Sequence, residues 1–235
     1  MARQLDEQIA ARYPVGQRLR ILDVGMGRGV QALRLARAGH TITGLESDEE
    51  LLRAAEETLA TEPEGIRERV TLLLGDSRET GVHFLPGSFD VVLCHEVLLS
   101  EQTDDGAALL AGLARMLAPG GLLSLLVRNA GALAMGPGLA RDWDGALAAL
   151  DSDIVTDRSG RTVRAHRLDA LTSALAGIAA PLHAWYGVQV FTPWGAADSD
   201  GGGDGERLLL AEDRAGRTDP YRGVAALLHL CGVRG

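Results

Sequence analysis

The chain has no lysine: all 23 of its basic side chains are arginine. That excludes a phosphate-binding P-loop, in which Lys and Ser or Thr must follow the last glycine. Cysteine is almost as scarce. Cys94 and Cys231 lie far apart and in no CxxC or Cys/His spacing, so neither a structural zinc site nor a disulfide framework is expected, and a reducing cytosol fits. Long apolar runs are missing too. The most apolar window, "LLAGLARMLAPGGLLSLLV", is broken by Arg115, Pro119 and a glycine pair, and reads as helix, turn and buried strand rather than a membrane span. The start, "MARQLDEQIAARYP", lacks the apolar core of a signal peptide. A cytoplasmic protein without membrane contact or bound metal is expected. Positive charge is in deficit, with a formal net charge of -9, which argues against non-specific attraction to nucleic acid.

What is present is the pattern of an α/β protein. At 235 residues a single domain is ordinary. From Arg20 strand and helix alternate: "RILDVG", then "VQALRLARAG" with helical spacing and a closing glycine, then "TITGLE". "SDEELLRAAEETLA" carries Ser47 and Glu50 in capping-box register. "RVTLLLGD" and "FDVVLCHE" are further β runs. "GAALLAGLARMLAPGG" places Leu109, Leu110, Leu113, Met116 and Leu117 on one helical face, and "LLSLLVRN" is a fifth strand. Near-continuous apolar strands between amphipathic helices predict a mostly parallel, doubly wound sheet covered on both faces. Beyond residue 128 the pattern loosens. "WDGALAALD" and "LDALTSALAGIA" are helical, "HAWYGVQVFTPW" is β-like, "AADSDGGGDGE" is flexible by composition, and "GVAALLHLCGVRG" ends the chain as helix or strand.

The first strand runs into "GMGRG". A dinucleotide fingerprint, G-x-G-x-x-G, would need glycine at Val30. The observed spacing is D-x-G-x-G-x-G through Asp23, Gly25, Gly27 and Gly29, which suits a ligand lying across the strand end with no phosphate to cradle. Further polar residues close the next strands: Glu46, about 20 residues on, where an acid commonly binds ribose hydroxyls, then Asp76 with Ser77, then His95. Four successive strand ends bear a polar residue on the edge where open α/β sheets bind ligands.

With "LDVGMGRG", "GLESDEELL", "GDS" and "LAPGGLLSL", the stretch from Arg20 to Val127 resembles the class I S-adenosylmethionine-dependent methyltransferases. The resemblance implies a Rossmann-like seven-stranded sheet in the order 3-2-1-4-5-7-6, with strand seven antiparallel, and S-adenosylmethionine as cofactor. It implies that the backbone from Gly25 through Met26 and Gly27 to Gly29 lies against the methionine part, supported by Asp23. Glu46 would bind ribose, with Ser47 beside it where the family usually has an apolar residue, and Asp76 and Ser77 would hold adenine. Residues 1–19 are then an amino-terminal helix, 20–127 the cofactor core, 128–167 a cap, and 168–235 the last helix and strands. "NAGALAMGPGL", "YGVQVF" and "DPYRGVAALLHL" further resemble the bacterial tRNA methyltransferases that esterify 5-carboxymethoxyuridine. That likeness assigns His95 a cofactor contact, although the family's Tyr/Arg-bearing amino-terminal arm has no counterpart here.

No His/Asp or Cys/His pair stands out as a general base, which favours an acceptor already deprotonated, such as a carboxylate. Arginine recognises carboxylates with two parallel hydrogen bonds. Arg128 and Arg164, with Asn129 and Tyr186, are the expected acceptor-orienting residues; Arg141, Arg158 and Arg161 lie nearby in sequence. Trp143, Trp185, Tyr186, Phe191 and Trp194 could stack a ring or pack the cap. The acceptor remains open between a small-molecule acid and tRNA, and a non-catalytic S-adenosylmethionine-binding partner subunit is the third reading. A monomer or homodimer is expected.

Overall fold

Apolar runs that stop at glycine or a polar residue become parallel strands, and the amphipathic segments between them become covering helices. The computed structural model describes residues 1–95, 106–156, 162–192 and 204–235. After α1 (Ala2–Arg12) come β1 (Arg20–Val24), α2 (Val30–Arg37), β2 (Thr41–Glu46), α3 (Glu49–Ala60), α4 (Glu64–Arg67) and β3 (Val70–Leu74). The short α5 (Thr80–His83), β4 (Phe89–His95), α6 (Gly106–Met116) and β5 (Leu117–Arg128) follow. Next are α7 (Met135–Leu139), α8 (Trp143–Leu150), a separate hairpin of β6 (Ile154–Thr156) and β7 (Thr162–Arg164), and α9 (Leu168–Gly177). The chain closes with β8 (Leu182–Val188), α10 (Asp204–Ala215) and β9 (Leu227–Val233).

The main sheet has the order β3-β2-β1-β4-β5-β9-β8. Counting only its own strands, this is the expected 3-2-1-4-5-7-6. β9 is antiparallel to both neighbours and the other pairings are parallel. Strand alternation sends successive side chains to opposite faces. On one face Leu22, Val24, Val92, Cys94, Leu123 and Leu125 pack under α6 and α9. On the other, Ile21, Val91, Leu93 and Leu122 pack under α1 and α2. α6 buries Leu109, Leu110, Leu113 and Met116 as its spacing predicts, at about 1.5–3 kcal/mol for each large side chain.

Several local readings are corrected. α3 is capped by Asp48, not Ser47: the Asp48 carboxylate accepts from the Glu50 and Leu51 amides, while the Ser47 amide is turned to Glu46. α10 and the β6–β7 hairpin have no sequence expectation behind them. "GVAALLHLCGVRG" resolves to strand because it completes the sheet between β5 and β8. Arg158, Arg161, Trp194 and the glycine-rich stretch at 201–203 lie outside the described residues.

Candidate functional site: the strand ends and the cavity beside them

The loop from β1 to α2 is shaped by glycines that adopt left-handed angles, with φ of 64° at Gly25, 58° at Gly27 and 72° at Gly29. Only glycine takes such angles without strain. Gly25 is held by donating to the Leu45 carbonyl at 2.8 Å. A Cβ on Gly27 would meet nothing within 4 Å, whereas one on Gly29 would press on the Ala55 Cβ at 3.3 Å. Gly29 is therefore required for helix packing as well as for its angle, and Gly27 borders open space. Met26 is buried and turns into β2, where its Sδ would lie 2.1 Å from a Cβ on Gly44. Gly44→Ala is expected to evict this side chain and cost about 1–3 kcal/mol; an unchanged urea midpoint would mean that Met26 has another seat at no cost.

Glu46 closes β2 against this loop. Its Oε2 accepts from the Gly27 amide at 2.8 Å, and its Oε1 from the Ser47 and Asp48 amides at 2.9 and 3.0 Å. One carboxylate thus ties both loops together while only 6% exposed. Asp23 lies at the end of β1, 3% exposed, and its Oδ2 is buried without a hydrogen-bond partner among the described residues. Desolvation, reinforced by the Glu46 charge, pushes its carboxyl up to about 7. A buried, unsatisfied carboxylate oxygen beside an open glycine backbone is what a ligand carrying donors would complete.

Asp76 caps the turn after β3, accepting from the Arg78 amide at 2.8 Å and pairing with its guanidinium. The amide bond, with the Arg78 charge, holds its carboxyl below the usual range despite partial burial. Ser77 is half-buried beside it. His95 closes β4, its Nε2 2.9 Å from the Ser124 Oγ of β5. Neither Ser124 nor His229 was singled out by the sequence, yet Ser124 Oγ is also 2.9 Å from His229 Nε2. The available signal was one polar residue in each of two otherwise apolar strands, "LLSLLV" and "LLHLCGV".

At the end of β5 the chain turns into α7 and α8 and encloses a cavity of about 540 Å³, lined by Arg128, Asn129, Leu133, Pro137, Ala148 and Ile154 among others. Arg128 Nε is buried with no partner among the described residues. Asn129 reaches the cavity wall, but its amide donates to the Gly223 and Ala225 carbonyls and its Oδ1 accepts from Gly131. It ties the exit of β5 to the approach of β9, which leaves no free donor for an acceptor molecule. Arg164 is exposed on β7, opposite the cavity-lining Ile154. Tyr186 is not brought to this cavity. Strand alternation puts it on the α1 face, where its hydroxyl accepts from Gln8 at 2.7 Å and its ring stacks on His229. Trp185 is covered by the Arg222 guanidinium, and Trp143 is 64% exposed on α8.

Left-handed glycines after β1, an acid at the end of β2 that touches them, and polar residues along successive strand ends define a Rossmann-like nucleoside-binding class. Residues 21–121 match the family model described as methyltransferase domain. The tRNA 5-carboxymethoxyuridine methyltransferase of Escherichia coli K12 is 31% identical over 140 residues, which are 60% of this chain and 51% of that protein. The ubiquinone biosynthesis O-methyltransferase of Thiobacillus denitrificans is 35% identical over 113 residues, 47% of this chain and 46% of that protein. The chain spans about half the length of these curated relatives. Among solved structures, a methyltransferase from Methanosarcina mazei superposes with TM-score 0.67 at 15% identity, covering 97% of this chain and 96% of that one. Magnesium protoporphyrin IX methyltransferase from Synechocystis, with S-adenosylhomocysteine bound, gives 0.63 at 16%, covering 100% and 83%. The [4+2]-cyclase SpnF gives 0.62 at 21%, covering 98% and 80%, so the fold carries more than one reaction. Residues 21–121, fewer than half of the 235, thus resemble a methyltransferase domain, and a solved structure of the same fold holds S-adenosylhomocysteine. Among the described residues no cluster of His, Cys, Asp and Glu is arranged to hold a metal, and no helix is long and apolar enough to cross a membrane.

Proposed function

We propose that the chain transfers a methyl group from S-adenosylmethionine to an acceptor whose carboxylate is held by Arg128. The observation that carries this reading is the buried, unpaired Nε of Arg128 in the wall of a 540 Å³ cavity at the carboxyl end of β5. A buried donor without a partner costs about 1–3 kcal/mol, and a guanidinium is matched by a planar carboxylate. On this reading the Gly25–Gly29 backbone and Asp23 face the methionine part of the cofactor, Glu46 takes the ribose hydroxyls, and Asp76 with the Ser77 amide takes adenine. The cofactor supplies an electrophilic methyl on sulfur; the protein positions the acceptor and excludes water. A carboxylate needs no general base. Arg164, paired across the hairpin from the cavity-lining Ile154, adds positive charge nearby.

The tRNA reading has its own support, because the likeness to the tRNA methyltransferase extends over 60% of the chain against 47% for the O-methyltransferase. The net charge of -9 opposes electrostatic capture of RNA, and a small acid is the preferred acceptor. Methyl-labelled S-adenosylmethionine, incubated with bulk bacterial tRNA and separately with a panel of small carboxylic acids, decides between them. Label in the small-acid fraction released by mild alkali as methanol supports the preferred reading. Alkali-labile label in tRNA moves the carboxylate to RNA, and alkali-stable label removes the carboxylate altogether. Arg128→Leu is expected to lower kcat/KM at least 30-fold, from the 2–5 kcal/mol typical of breaking one side of a buried charge pair, with S-adenosylhomocysteine affinity unchanged.

A further inference from the structure

Under α1, on the sheet face that carries Asp23 and Leu93, four polar side chains form a continuous chain, buried at Gln4, His229 and Ser124 and half-buried at His95. Gln4 Nε2 donates to the Gly187 carbonyl at 3.4 Å. Gln4 Oε1 is 2.9 Å from His229 Nδ1, His229 Nε2 is 2.9 Å from Ser124 Oγ, and Ser124 Oγ is 2.9 Å from His95 Nε2. Gln4, Ser124 and His229 are at most 3% exposed. A backbone carbonyl can only accept, and that fixes the direction of every bond that follows. The Gln4 amide nitrogen must face Gly187, so its oxygen faces His229 and His229 carries its proton on Nδ1. His229 Nε2 is then a lone pair, and the Ser124 hydroxyl must donate to it. The Cys231 thiol, 3.6 Å from the same nitrogen, is pushed up by burial to about 12 and stays protonated, a weak and more distant donor at a lone pair that the Ser124 hydroxyl occupies at 2.9 Å. The Ser124 oxygen is left as acceptor for His95.

We propose that Gln4, His229 and Ser124 lock His95 in its Nε2–H tautomer, so that an Nδ1 lone pair is presented at the cofactor edge of β4. The chain requires His229 to be neutral, since its Nε2 accepts, and His95 to carry a proton on Nε2; burial of the ring opposes a second proton on His95. Burial first, then the Met1 amino group and Arg34, lowers His95 to about 4; burial first, then the His95 ring and the Met1 amino group, lowers His229 to about 3. Tyr186, stacked on His229 and bonded to Gln8, closes the remaining side. His95 Nδ1 has no hydrogen-bond partner among the described residues. Its bound partner must therefore be a donor, such as the ammonium of an amino acid moiety or a hydroxyl, and an acceptor's carboxylate is repelled from it towards Arg128. The Nε2 proton stands on the bonds and the open Nδ1 on the burial of the ring; its use at the reacting edge rests on the methyltransferase reading.

The test is long-range proton–nitrogen NMR of the full chain labelled with ¹⁵N-histidine at pH 7, with His95→Gln identifying the His95 signals. Wild type is expected to show His95 neutral and protonated on Nε2, and His229 neutral and protonated on Nδ1. Ser124→Ala is expected to shift His95 towards a tautomer mixture and to weaken S-adenosylhomocysteine binding about 3–10-fold, the worth of one hydrogen bond. If Ser124→Ala does not fold, Gln4→Leu serves, with loss of the His229 pattern first. A cationic or Nδ1-protonated His95 in wild type, or an unchanged pattern in the variants, overturns the lock. With the lock seen, S-adenosylhomocysteine that binds without moving the Nδ1 resonance overturns its use at the site. Failure of S-adenosylhomocysteine to bind at all instead strikes the methyltransferase reading and leaves the tautomer standing.

Discussion

Glu46→Ala is expected to weaken S-adenosylhomocysteine binding by 100-fold or more, measured by titration calorimetry. Hydrogen bonds to a charged group contribute about 1.5–3 kcal/mol each, and on the proposed reading Glu46 takes two ribose hydroxyls. The effect should exceed simple loss of those bonds. In the structure the same carboxylate gathers the Gly27, Ser47 and Asp48 amides, so its removal also loosens the glycine loop. Glu46→Gln separates the two contributions. It keeps one oxygen to accept from an amide but turns an NH₂ towards either Gly27 or the Ser47–Asp48 pair, so partial recovery of folding stability without recovery of binding is expected. Binding within threefold of wild type in the alanine variant would remove Glu46 from the cofactor site.

Asp23→Asn should change stability in a way that depends on pH. The folded carboxyl is raised from its ordinary 3.8 to about 7, first by desolvation and then by Glu46. A carboxyl raised by folding favours the folded state fully below its unfolded value, and that contribution is lost as pH climbs through the folded value. Wild type should therefore lose ground against the asparagine variant between pH 4 and 7, by about 4 kcal/mol at most. Urea midpoints of both proteins at pH 4.5 and pH 8 measure this. The difference must grow in favour of Asn at the higher pH; an equal difference at both values would mean that Asp23 ionises without penalty. Glu46→Gln should shrink the effect, because it removes the second cause of the shift.

The sheet was legible from the sequence because its determinants are local. Each parallel strand is a short apolar run, each is followed by a helical apolar period, and left-handed glycines mark the first crossover. Those features determine the elements and their doubly wound pattern, and they place Asp23, Glu46, Asp76 and His95 at strand ends; the order of the strands is what the resemblance to the methyltransferases implied. The α3 cap was misplaced by one residue because Ser47 and Asp48 are both good caps; Glu46 gathers the amides of both, and the helix begins after them with the Asp48 carboxylate on the Glu50 and Leu51 amides. α10 was missed because the apolar "LLLA" within it follows a glycine-rich stretch that masks its period.

What only the tertiary structure decided is which polar groups meet. Asn129 is spent on the carbonyls of Gly223 and Ala225, about 95 residues on, and Tyr186 on Gln8, 178 residues back. No local pattern foretells either bond. The direction of the Gln4–His229–Ser124–His95 chain depends on a single backbone carbonyl at Gly187, and the open partner of Arg128 on how α7 and α8 fold over β5. Propensity and periodicity act over a few residues and so set the elements. A buried polar atom must be satisfied by whatever the fold brings within 3 Å or so, and that is settled only when distant strands and helices are packed together.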